Sequence, residues 1–80
     1  MRKSILKKHM IYFYEISHIV STLKRINPVR LETIYTDLDK YSEEEIVKDI
    51  NSTDIEALSK SDKEKYLVSM YYIANNLSLG

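Results

Sequence analysis

Residues 5–26 read ILKKHMIYFYEISHIVSTLKRI, and in them Ile5, His9, Tyr12, Ile16, Ile19, Leu23 and Ile26 recur at alternating steps of four and three. That spacing draws one seam along an amphipathic helix. Leu6, Phe13 and Val20 lie beside the seam and widen it to the stripe of a core-facing helix. Lys3, Lys7, Tyr14, Ser21 and Arg25 fall on the opposite side. The pattern predicts a single helix from about Lys3 to Ile26, roughly 36 Å long at 1.5 Å per residue.

Asn27-Pro28 closes this stretch and opens the next. Proline cannot continue a helix ladder but suits a first helical position, and asparagine is a good N-cap. A second helix is expected from about Pro28 to Tyr41, with Leu31, Ile34, Leu38 and Tyr41 as its seam. Three later segments, Ser42 to Glu45, Thr53 to Glu56 and Ser61 to Glu64, each have the form of a capping box. They predict short helices near 43–51 and 54–59 and a closing helix near 62–78. The closing helix is expected to bury Tyr66 or Leu67, then Met70, Ile73 or Ala74, and Leu77, with Tyr71 and Tyr72 on its flanks.

The only glycine is Gly80 and the only proline Pro28, so a hairpin-rich β fold would lack its usual turn residues. The expected fold is all-α: a compact bundle of four to five helices with a long N-terminal helix, one domain over residues 1–80. Such a chain buries only about 60% of its unfolded surface, which leaves a net stability of roughly 5 kcal/mol. No cysteine is present to add a disulfide or thiol chemistry. The apolar run Met10 to Tyr14 stops at Glu15, far short of the ~20 residues of a membrane span. Lys7, Lys8 and His9 interrupt any signal-peptide-like apolar region, so a cytoplasmic location is expected. The wealth of Ile, Lys, Asn and Tyr fits an AT-rich genome, such as that of a low-GC bacterium or its phage.

The formal net charge is zero, but it is unevenly spread. Residues 1–30 hold seven basic residues (Arg2, Lys3, Lys7, Lys8, Lys24, Arg25 and Arg30) against Glu15 alone, a balance of +6. Residues 31–80 hold five lysines against eleven acids, a balance of −6. Blocks of opposite sign attract each other within one chain or between two.

Signals for catalysis are sparse. His9 and His18 stand nine residues apart, whereas a two-histidine metal site on a helix needs a spacing of three or four. His9 lies on the seam and is read as packed; His18 is read as solvated. The consecutive Glu43, Glu44 and Glu45 are explained by capping and the helix dipole. No nucleophile–base pair, phosphate-binding glycine loop or metal motif is recognisable, so neither enzyme activity nor a cofactor is expected. Residues 28–51 have the proportions of a helix-turn-helix, which makes a DNA-binding regulator the alternative function. Against it, the would-be recognition helix opens on three glutamates, and nonspecific DNA affinity comes from neutralising phosphate.

The leading expectation is a small protein-interaction module, a regulator, inhibitor or adaptor, working through a helical surface. Lys3, Lys7, Tyr14 and Arg25 on the first helix and Tyr71 and Tyr72 on the last are its candidate contacts. The first helix is longer than its neighbours can cover. Unless the closing helix reaches the region around Ile5, Leu6, His9 and Met10, a second chain must do so, and a homodimer through the N-terminal helix is the simplest case.

Overall fold

Asn27 and Pro28 form the corner the sequence asks for. In the computed structural model, which describes residues 8–76, helix α1 spans Phe13–Ile26 and helix α2 spans Pro28–Leu38. The Asn27 side chain accepts from the Arg30 backbone N–H at 3.2 Å, and Pro28 takes the first helical position. Helix α3, Glu43–Ser52, begins on a complete capping box: Ser42 Oγ accepts from the Glu45 N–H, and the Glu45 carboxylate accepts from the Ser42 N–H. Hydrogen bonding to the carboxylate by the Ser42 backbone N–H, and then by the Ser42 hydroxyl, holds the Glu45 carboxyl below the usual carboxylate range. A 3-10 turn at Ile55–Ala57 leads to helix α4, Lys60–Asn76.

The described residues are all-helical, as expected, but α4 does not lie on the outside of the bundle. Tyr66, Leu67, Val68, Ser69 and Met70 are consecutive and all buried, so α4 is enclosed on every side over this stretch. A helix apolar around its whole circumference belongs in the middle of a fold. Helices α1, α2 and α3 each pack on α4; α1 also packs on α2, while α2 and α3 make little contact with each other. The core comprises Ile16, Val20 and Leu23 of α1, Leu31, Ile34 and Leu38 of α2, Ile46 and Ile50 of α3, Ile55, and the α4 residues. Ser69, the one buried polar residue among the described residues, donates its hydroxyl to the Lys65 carbonyl one turn back at 2.9 Å. Such back-bonding removes the cost of an unpaired hydroxyl.

The single long N-terminal helix is not observed. Residues 8–11 are helical, Tyr12 is not (φ −103°, ψ 17°), and α1 proper starts at Phe13 and runs about 21 Å. Two causes are visible. Ile11, Tyr12, Phe13 and Tyr14 are β-branched or aromatic, and such residues lose rotamer freedom in a helix and support it weakly. In addition, Lys8 is anchored elsewhere. Its ammonium donates to the carbonyls of Ile50 and Thr53 and reaches the Tyr66 hydroxyl at 3.4 Å, so the chain before Tyr12 is tied to the C-terminal end of α3. A cation there satisfies orphan carbonyls and opposes the helix dipole.

The two later capping boxes are also displaced. Thr53 Oγ1 donates back to the Asp49 carbonyl at 2.7 Å, and Asp54 caps the 3-10 turn in its place. Ser59 accepts from the Asp62 N–H, so α4 starts two residues before the expected position. Ser61 and Glu64 instead accept from Arg30, whose Nε lies 3.0 Å from the Glu64 carboxylate. This pair joins the start of α2 to the start of α4. No helix among the described residues is long and apolar enough to cross a membrane.

Candidate interaction surface

The apolar residues just before and at the start of α1 are largely outside the core. Met10 is 73% exposed, Ile11 64%, Phe13 48% and Tyr14 85%. The core side of α1 is set by Ile16, Val20 and Leu23, at steps of four and three. Extended backwards at 3.6 residues per turn, that side passes through His9 and Tyr12 and leaves Met10, Ile11 and Tyr14 facing away. His9 and Tyr12 are indeed half-buried. Phe13 bridges the two sides, with its ring edge-on to His9 at 5.9 Å and to Tyr14 at 5.6 Å. The closing helix reaches this end of α1 through Lys63, 3.5 Å from Glu15, and Tyr66, which meets Lys8, yet Met10, Ile11 and Tyr14 stay exposed. Four large apolar side chains exposed within five residues mark an interaction site more often than isolated ones do. Ile26, placed on the core seam by its spacing, is also exposed, beside the exposed Val29 at the α1–α2 corner.

The other candidates from the sequence divide. Arg25 is exposed and makes no ion pair with a described residue. Tyr71 and Tyr72 are half-buried and packed against the core. Tyr71 lies under the Lys24 ammonium, 5.8 Å from the ring centroid. Tyr72 donates to the Asp39 carboxylate and packs on the Tyr35 ring at 5.8 Å. Burial, and then the neighbouring Tyr71, push the Tyr35 hydroxyl above its usual range. Lys3 and Lys7, with Ile5, Leu6 and Leu77, lie outside the described residues.

A groove of about 510 Å³ opens on another face, between α3, the C-terminal end of α2 and the N-terminal half of α4. Leu38, Ile46 and Leu58 give it an apolar floor, and Glu45, Asp49 and Asp62 line its rim. Its one cationic side chain, Lys65, is already 3.7 Å from Asp37. Tyr66 and Thr53 form the end where the Lys8 ammonium rests. The Tyr66 hydroxyl, which donates to the Ile50 carbonyl, is pushed up to about 12, mainly by burial and then by the negative charge of Asp49.

As contacts the sequence named Tyr14 but not Ile11; it placed Met10 in the stretch a second chain would cover, and it read Glu45 as a cap and named no groove acid as a contact. The one available signal was that Met10 and Ile11 belong to neither the seam nor the residues beside it. Comparison with known proteins finds no matching family model, curated protein or solved structure.

Proposed function

We propose that the chain is a non-catalytic protein-interaction module, a regulator, inhibitor or adaptor that presents a helical surface, and that its first partner is a second copy of itself. The observation that carries this reading is the uncovered apolar end of the first helical region, Met10, Ile11, Phe13 and Tyr14. An 80-residue domain has little stability to spare, and covering such a patch is how small chains add to it.

The helix-turn-helix alternative draws less support. Helices α2 and α3 each pack on α4 rather than on one another. Glu43, Glu44 and Glu45 at the start of α3 are exposed. Of the basic residues on or beside these helices, Arg30 is paired with Glu64 and Lys24 lies over Tyr71, while Arg25 and Lys48 are exposed.

Light scattering on a sizing column tests the reading. At micromolar concentration the chain is expected to elute with twice its 9.5 kDa monomer mass. The double substitution Ile11→Asp, Tyr14→Asp should return it to monomer. Both residues are exposed, so the folded state should change by no more than about 0.5 kcal/mol per site. A wild-type chain that stays monomeric throughout contradicts the homodimer.

A further inference from the structure

Among the described residues, two features are left open: the apolar end of the first helical region, and the acid-rimmed groove beyond the end where the same chain's Lys8 ammonium rests. We propose that they match each other between copies, the N-terminal helical region of one copy seating in the groove of a second and the reverse contact forming at the same time. This rests on the self-association reading and adds the surface that receives the helix.

Three observations select a second copy as the occupant. The first is charge. Asp49 and Asp62 on the groove rim have no ion pair with any described residue. The cations able to answer them are in the chain's own first thirty residues, where Arg2, Lys3 and Lys7 alternate with Ile5 and Leu6 ahead of Met10 and Ile11. The second is chemistry. An apolar floor beneath carboxylates suits a segment that carries both apolar and basic side chains, the pattern of an amphipathic helix in a groove. The Thr53 carbonyl and Tyr66 hydroxyl at one end of the groove already accept from an ammonium, that of Lys8. The third is closure. Each copy holds one donor end and one groove, so the contact made twice returns on itself as a two-fold dimer and leaves neither feature open.

A charge exchange tests this. Variant one carries Asp49→Lys and Asp62→Lys; variant two carries Lys3→Glu and Lys7→Glu. Asp49 lies near the C-terminal end of α3 and Asp62 in the first turn of α4, so the two lysines act on helix dipoles in opposite senses and the fold should hold, as circular dichroism will show. Each variant alone should dimerise at least ~10-fold more weakly than the wild type, a reasonable scale for reversed close charge pairs. An equimolar mixture should recover dimer, because in the mixed pair both contacts again join opposite charges. The milder Asp49→Asn, Asp62→Asn variant should weaken the dimer by less and guards against a folding defect in variant one. Variants that dimerise like the wild type overturn the groove as the docking site while leaving dimerisation intact. Weakening without recovery on mixing also overturns it, because it means that the groove takes a segment of its own chain or another partner. A wild type that never dimerises removes both this proposal and the reading beneath it.

Discussion

Replacing Met70 by alanine is expected to cost about 2–5 kcal/mol, the range for removing a long apolar side chain from a closed core. Met70 is fully buried on α4, the helix that every other helix packs against. A cavity there is lined from several sides at once, and no exposed neighbour can move in to fill it. With a total stability of roughly 5 kcal/mol, the variant should be partly unfolded at room temperature. A urea titration followed by circular dichroism at the helix band measures this. If the midpoint of Met70→Ala barely moves, α4 is not the axis of the fold. The same cut at exposed Met10 should change stability by no more than about 0.5 kcal/mol, which makes it the natural control.

The second large effect is expected at Tyr66. Its ring is buried, its hydroxyl donates to the Ile50 carbonyl, and the Lys8 ammonium lies against both groups. Tyr66→Phe keeps the ring and deletes the hydroxyl, at a cost of about 1–3 kcal/mol for a buried hydrogen bond whose partner is left poorly satisfied. The substitution also has a pH signature. In the folded chain the hydroxyl is held up to about 12, while in the unfolded chain it ionises near the ordinary value of 10.0. Between these values the unfolded state has lost a proton that the folded state keeps, so stability falls as pH rises from about 10 to about 12 and is fully present below that window. Tyr66→Phe should lose stability less steeply there. Tyr35, also raised, contributes to the same decline in both proteins, so the difference between the two curves isolates Tyr66. Parallel curves would mean that Tyr66 is not shielded as described.

The features legible in the sequence are those decided by neighbouring residues. Asn27-Pro28 and Ser42 to Glu45 each satisfy their own backbone groups within a few residues, and both appear where they were read. Thr53 and Ser61 have the same local form but find other partners: the Asp49 carbonyl for one, the Arg30 guanidinium for the other. The second of these crosses from α4 to α2, and no local rule contains it. The break at Tyr12 is of the same kind. A seam at steps of four and three continues unchanged through one distorted residue, so periodicity cannot register it, and the anchor that accompanies it is Lys8 bonding more than forty residues away.

The interaction surface was half legible for a related reason. Spacing gives the side of a helix an apolar residue occupies, but not whether anything lies against that side. Phe13 and Ile26 fit the core stripe by position and are exposed, whereas Ile16, Val20 and Leu23 between them are buried. Tyr71 and Tyr72 fit the exposed flank by position and are half-buried, because α4 is enclosed by three helices rather than set at the edge. The charge split was plain in the sequence. That its acidic half lines a groove with Asp49 and Asp62, which no described residue pairs, follows only from bringing α3 and α4 together.

The central claim is that the end of the first helical region binds a second copy of the chain. The most direct measurement is an isotope-filtered NOE experiment on a mixture of 13C-labelled and unlabelled protein, which reports only contacts between copies. The account predicts intermolecular signals from the methyl groups of Met10 and Ile11, with partners among Leu38, Ile46 and Leu58 of the other copy. An absence of intermolecular signals, together with a tumbling time that fits a 9.5 kDa particle at every concentration, would contradict it.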